Sequence, residues 1–346
     1  MQPKLEEGKA NRTGMEEQMQ PDAGVELVTD ADNTPFFTVG IPVWKSRFLA
    51  EAIESVLKQR FSDFELVIVD DASPDNIKEL VMAFKDSRIR YFRNEKNFGA
   101  RYLVDNWNVC LKKARGRYFL LLGDDDRLEP DCLEEFSRLI AEYPGPEVYH
   151  CRSRLIDEHS QLIGFTESRP PFETIYDIIW HRVKVLRTQF VSDFVYHREA
   201  LLNAGGYYLL PMGWVSDDIT SYRAAKEKGM VHTQQAVVSY RYSRLTMSNS
   251  GSVFLKLEAI AGEQQWLEDF LQQVPDHRDE RVKHRNLQNY IPRYIRKKRI
   301  ETLVLWGSWR ELMQFSRLLK LGLRSSDLLA AAVLKCRNVI TKRLMY

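Results

Sequence analysis

Residues 64–71 read FELVIVDD, apolar at nearly every position before two aspartates close the run. A strand with one face in water would alternate, so this segment calls for a parallel strand covered by helices on both faces. Parallel neighbours need a crossover of a dozen or more residues, normally a helix. The upstream sequence supplies one. FFTVGIPVW, from Phe36, reads as a short strand that ends at proline, and SRFLAEAIESVLKQ places Phe48, Leu49, Ala52, Ile53, Val56 and Leu57 on one helical face, with Ser46 as the expected N-cap. The alternation continues through helical NIKELVMAFK, extended IRYFRN, helical ARYLVDNWNVCLKKA and extended RYFLLLG. EVYHCRSRLI and QLIGF read as strands joined by a turn at Asp157, Glu158, His159 and Ser160. The fold class is α/β: a mostly parallel, Rossmann-like central sheet flanked by helices, with a C-terminal helical extension.

RYFLLLG delivers Asp124, Asp125 and Asp126 at its end. Adjacent carboxylates raise one another's cost of ionisation unless positive charge sits among them, and a metal ion is the obvious candidate. Hard cations at phosphate sites take one or two carboxylates plus phosphate oxygens and water. The bland reading is a polar loop whose acids complement the dipole of the following helix, DCLEEFSRLIAEY. Asp70 and Asp71 end an equivalent strand, and ligands of open α/β sheets bind beyond the carboxyl ends of the strands. Asp71 is therefore a candidate for a base or ribose, or an Asx turn in DASPD. Asp217 and Asp218 open the expected helix DITSYRAAKEKG, where an isolated acidic pair reads first as an N-terminal cap in favourable interaction with the helix dipole.

The chain's net charge of +2 hides an asymmetry: from Arg278 onward 17 Lys and Arg face 5 Asp and Glu, so the rest of the chain is acidic. Cys110, Cys132, Cys151 and Cys336 form no CxxC pair and read as buried, reduced thiols of a cytosolic protein. The first 34 residues read as a flexible leader without a secretion signal, and no apolar run reaches the roughly 18 residues of a membrane span. The histidines show no metal-ligand spacing.

Four blocks between residues 36 and 250, in order, resemble glycosyltransferase family 2, the inverting, nucleotide-sugar-dependent enzymes of GT-A fold. They are TVGIPVWKSRFLAEAIESVLKQRFSDFELVIVDDASPD, NEKNFGARYLVDNWN, GRYFLLLGDDDRLEPDCLE and NAGGYYLLPMGWVSDDITSYRAAKEKG. The resemblance implies that Asp71 holds the nucleoside, with Pro42 and Trp44 bordering the pocket and Asn97, Gly99 and Arg101 on the donor side. It makes Asp125 the ligand of Mn²⁺ or Mg²⁺, Asp124 a ribose or metal contact and Asp126 a helper. Asp218 becomes the catalytic base beside Asp217, with Gly205, Gly206, Trp214 and Arg241 facing the acceptor. Two positions depart from the family: Gly123 stands where many relatives have aspartate, and Ser243 where histidine is often found. Arg241 and Arg244 are candidates for phosphate contact, or equally for surface ion pairs.

The resemblance implies transfer from a nucleotide diphosphate sugar, a UDP-sugar first, to a hydroxyl of a glycan or lipid-linked glycan in bacterial surface polysaccharide synthesis. A non-catalytic GT-A scaffold is the alternative. A sugar nucleotidyltransferase would need a Gly-rich phosphate loop, which GIPVWKSR does not supply. The domains expected are the leader, a GT-A domain over 35–250 and a basic, mainly helical region over 251–346. In that last region EAIAGEQQWLEDFLQQ, WRELMQFSRLLKLG and SDLLAAAVLKCRNVITKRL read as helices, with Leu312, Phe315, Leu318 and Leu319 at helical spacing. Residues 278–346 suit either an anionic membrane surface or a helical subdomain packed on the catalytic domain, and carry no nucleic-acid motif. The location that follows is cytoplasmic, with a peripheral place on the inner face of the membrane if the first holds.

Overall fold

A computed structural model describes residues 34–242 and 251–344. The leader, Ser243 and Arg244 lie outside the described residues. The chain runs through β1 (Phe37–Val43), α1 (Leu49–Leu57), β2 (Phe64–Asp70), α2 (Ile77–Met82), β3 (Ile89–Arg93), α3 (Leu103–Lys113) and β4 (Tyr118–Leu121). Then come β5 (Arg127–Leu128), α4 (Cys132–Glu142), β6 (Val148–Ile156), β7 (Leu162–Phe165), β8 (Phe172–Glu173), α5 (Ile175–Val183), β9 (Phe194–His197), α6 (Arg198–Asn203), α7 (Ser216–Ala225) and β10 (Met230–Arg241). Five helices follow: α8 (Val253–Phe270), α9 (Arg278–Trp306), α10 (Trp309–Leu312), α11 (Phe315–Lys320) and α12 (Ser325–Leu344).

One sheet runs β3-β2-β1-β4-β9-β6-β10-β5, with β7 beside β6 and β8 beside β10. The β3-β2-β1-β4 half is parallel throughout, whereas β9 is antiparallel to both of its neighbours. Chain order reverses between β1 and β4, and a crevice forms at such a switch point because neighbouring crossovers leave the sheet toward opposite faces. Every residue of β2 is buried, as its apolar run demands. Each face carries its own core. Leu49, Ile53 and Val56 of α1 pack with Ile41 and Leu66 on one, and Val104, Cys110 and Leu111 of α3 with Val67 and Phe119 on the other.

Three local expectations change. Ser46 does not cap α1, whose N-cap is Phe48; its hydroxyl donates instead to Asp75 at 2.6 Å, tying the β1 loop to the β2 loop. WRELMQFSRLLKLG is two short helices, so Leu312 and Leu318 turn inward while Phe315 and Leu319 stay exposed. Cys336 is exposed, unlike the three buried cysteines. The basic region packs on the sheet domain through Leu287, Ile291, Ile295 and Leu303, within the same core as α3 and α5. The 29-residue α9 runs through Pro292, a residue that disfavours a helix interior and so hid the helix in the sequence.

Candidate active site

The carboxyl ends of β2 and β4 bring two acidic groups, Asp70–Asp71 and Asp124–Asp126, to one edge of the parallel half-sheet, beside the end of β1. Asp124 accepts from the Trp44 and Lys45 backbone N–H groups, both at 3.2 Å, which pins the loop after β1 to the end of β4. Asp126 is buried: one oxygen accepts from Ser192 Oγ at 2.7 Å and the other from the Arg241 N–H at 3.0 Å. Asp125, partly exposed between them, has no side-chain hydrogen bond among the described residues. Burial first, then repulsion from Asp126 and Asp124, pushes its carboxyl up to about 8; burial raises Asp126 to about 6. A carboxylate so strained in its charged form is a place for a cation. Among the described residues no three His, Cys, Asp or Glu side chains converge as a ready metal cage. Asp125 with the outer oxygen of Asp124 suits a hard ion that also takes ligand oxygens and water.

Gly123 fits this arrangement. A Cβ there would sit 2.9 Å from Asp126 Oδ2 and 3.2 Å from Asp125 Oδ1, and its N–H donates to Ser192 Oγ at 3.1 Å. A fourth carboxylate at this position would crowd the other two.

Asp71 lies just past β2 and organises the neighbouring loop. It accepts from Asn94 Nδ2 at 2.9 Å, Asn97 Nδ2 at 3.1 Å and the Phe98 N–H at 3.1 Å. Burial raises its pKa above the ordinary carboxylate value, with Asp70 adding repulsion. Pro42 sits within β1, and Trp44 is exposed at the strand end, so it is not core. Gly99 takes φ +67, and Arg101 beyond it forks onto Glu258 of α8 at 2.7 and 3.2 Å.

The second acidic pair sits at the start of α7, after a loop in which Met212, Gly213 and Val215 all take positive φ. Such backbone costs energy at Met212 and at β-branched Val215, and persists where packing over-determines it. Here Trp214 lies edge-to-face on Trp306, with Lys256 Nζ over both rings at 4.8 and 4.1 Å. Asp218 is buried and committed: Arg182 Nε reaches both oxygens at 2.9 and 3.1 Å, and Gln189 Nε2 donates at 2.7 Å. Asp217 is partly exposed, and burial followed by repulsion from Asp218 pushes it up to about 7.

One segment joins the two acidic groups. Gln189 holds Asp218, and Ser192, three positions later, holds Asp126. Local sequence gives no sign of these residues or of Arg182, since each acts on a carboxylate between 29 and 66 positions away.

Three expected site residues lie elsewhere. Arg241 is fully buried, its guanidinium donating to the Asp125 and Asp157 carbonyls, Ser160 and Glu51, so it braces the carboxylate loop and presents nothing to a phosphate. Gly205 and Gly206 terminate α6 through N–H bonds to the Leu202 and Leu201 carbonyls, both at 2.8 Å. At Gly206, φ +77, a Cβ would stand 2.3 Å from Asn108 Oδ1. Because α6 follows β9, whose His197 pairs with Tyr118 at the start of β4, both glycines lie at the edge of the sheet opposite the aspartates.

The profile described as Glycosyl transferase family 2 matches residues 38–190, which hold β2, β4, Asp71 and Asp124 to Asp126. The chain carries a family 2 glycosyltransferase domain. Over 107 residues it is 38% identical to a putative colanic acid biosynthesis glycosyl transferase of Escherichia coli, covering 30% of this chain and 37% of that one. A glycosyltransferase of Streptococcus pneumoniae is 30% identical over 108 residues, covering 30% and 35%. The chain thus spans well under half the length of these curated relatives. The family 2 domain with its helical region superposes on S. aureus TarS 1-349 in complex with UDP-GlcNAc, with TM-score 0.64, 19% identity and coverage of 82% and 80%. The mannosyltransferase PcManGT of Pyrobaculum calidifontis, in complex with GDP-Man and Mn²⁺, gives TM-score 0.52 at 14% identity, covering 94% and 92%. The fold is GT-A.

Proposed function

We propose that the protein transfers a sugar from a nucleotide diphosphate donor to an acceptor hydroxyl, with Asp125 on the donor side and Asp217 as the base. The observation that supports this reading is the 189–192 segment, which links the two acidic clusters through Asp218 and Asp126, each buried beside a partly exposed carboxylate. Asp217 takes the role of base in this reading because Asp218 is held in a buried ion pair by Arg182 and bonded by Gln189, and a general base needs a free lone pair and a pKa near the working pH. Asp217, up at about 7, has both. The hydroxyl proton passes to Asp217 as its oxygen bonds the anomeric carbon; the bond to the diphosphate breaks on the opposite face, so the anomeric centre inverts.

Asp125 and Asp124 would hold Mn²⁺ or Mg²⁺, which when bound supplies charge neutralisation for the departing diphosphate. Asp71 shapes the Asn94, Asn97 and Phe98 wall against which a nucleoside would rest, and Trp44 offers an exposed ring at its mouth. UDP-GlcNAc and GDP-Man in the structural neighbours make UDP- and GDP-sugars the first donors to try. The colanic acid relative makes a bacterial surface glycan, free or lipid-linked, the first acceptor class.

The test is thermal melting against UDP, GDP, dTDP and CMP, each with and without Mn²⁺, for the native chain and Asp125→Ala. A ligand that binds only the folded state must raise Tm. We expect one diphosphate to do so mainly with metal, and Asp125→Ala to lose the metal-dependent part. No shift with any nucleotide would point to a non-catalytic scaffold instead.

A further inference from the structure

The C-terminal helices bury one set of apolar side chains and display another. Leu312, Leu318, Leu323 and Leu328 lie in the core, whereas Leu305, Trp309, Met313, Phe315, Leu319 and Leu329 keep between 45% and 74% of their surface open to solvent. The display is local. Arg296 pairs with Asp327 at 2.6 Å, Arg299 donates to the Gly322 carbonyl at 3.1 Å, and Lys335 Nζ reaches the Val304 carbonyl at 3.0 Å. These bonds hold the turn at Gly322 and α12 against the last turns of α9, and the exposed side chains stand on the solvent side of the C-terminal helices.

Charge distinguishes the face from an ordinary apolar patch. Residues 305–337 hold six Lys and Arg and two acids. Both acids are consumed internally: Glu311 closes the α10 capping box with Ser308, and Asp327 is nearly buried between Arg296 and the Arg324 N–H. Arg310, Arg317, Lys320 and Arg324 are exposed among the apolar groups. The face needs an apolar phase bordered by anions, as the interface of an acidic bilayer provides. A second copy would oppose cation to cation, and nucleic acid would leave the leucines and Met313 in water. No helix among the described residues is long and apolar enough to cross a membrane.

We propose that residues 305–334 form a docking face for anionic phospholipid, holding the protein on the bilayer surface. This inference rests on the surface alone and stands whether or not the donor-site reading does. It narrows the basic region to its end, since Leu287, Ile291, Ile295 and Leu303 of α9 are spent on packing.

The experiment is flotation of the whole chain with phosphatidylcholine vesicles, with and without phosphatidylglycerol. The expected result is binding to the acidic vesicles only, weakened by salt. Trp309→Ser/Met313→Ser/Phe315→Ser should cut the partition coefficient about tenfold or more, and Arg310→Glu/Lys320→Glu/Arg324→Glu should do likewise. Both triples change exposed residues, so a native Tm and a native far-UV circular dichroism spectrum separate lost docking from lost folding. No binding to acidic vesicles, equal binding to neutral ones, or full binding by either folded triple would overturn the proposal. So would a dimer in solution that the apolar triple dissolves.

Discussion

The Asp124–Asp126 cluster and the Asp217–Asp218 pair solve one problem in two ways. Each places adjacent aspartates where a helix or loop begins, and each buries one member while leaving its neighbour partly exposed and hard to ionise. Asp126 is anchored by neutral donors, a serine hydroxyl and a backbone N–H, and with the cluster's charge only partly offset by the nearby Arg241, burial and its neighbours raise Asp125 to about 8. Asp218 is anchored by a guanidinium, so its charge is matched in place and Asp217 rises only to about 7. The difference suits a cluster that awaits a cation and a pair that moves a proton.

The largest effect should separate the two members of the acceptor-side pair. Asp217→Asn is expected to lower kcat by about 10²- to 10⁴-fold, the usual worth of a positioned base. Asp218→Asn should act mainly on stability; a greater kcat loss there, with folding intact, would return the role of base to Asp218.

Next comes the anchor itself. Arg182→Met leaves Asp218 charged and buried without its cation, at a cost of about 3–5 kcal/mol in urea unfolding. Arg182→Met/Asp218→Leu should recover most of that loss, because a vacated ion pair of similar volume tolerates apolar replacement. An unchanged midpoint for the single variant would mean the pair is not what fixes the start of α7.

The smallest effect is one of pH. Asp217 has a folded pKa near 7, above the roughly 3.9 of an unfolded aspartate. The folded state therefore binds the extra proton, and stability should fall as pH rises from about 4 to about 7. Buried Asp193, also up at about 7, acts in the same direction. Asp217→Asn should flatten part of the slope in melting curves, while the native kcat should climb through pH 7 as the base is freed. A native Tm indifferent to pH across that window would deny the raised pKa.

Much of this was legible in the chain because it depends on neighbours in sequence. Apolar runs at 66–69 and 118–122 dictated buried parallel strands, the amphipathic segments between them dictated crossovers, and acids at strand ends pointed to the crevice. Each follows from side-chain period and chain connectivity. Which acid stays available could not be read that way. Asp125 differs from Asp126, and Asp217 from Asp218, only through Ser192, Gln189 and Arg182, which folding brings from 29 to 66 positions away. Arg241 looked like a phosphate ligand until burial showed it bracing the carboxylate loop, and Gly205 and Gly206 looked like acceptor contacts until β9 carried them to the far edge of the sheet. The layers of the fold and the acids at each strand end follow from order along the chain. Which carboxylates remain free follows from folding, because hydrogen bonding and desolvation are set by distance in space.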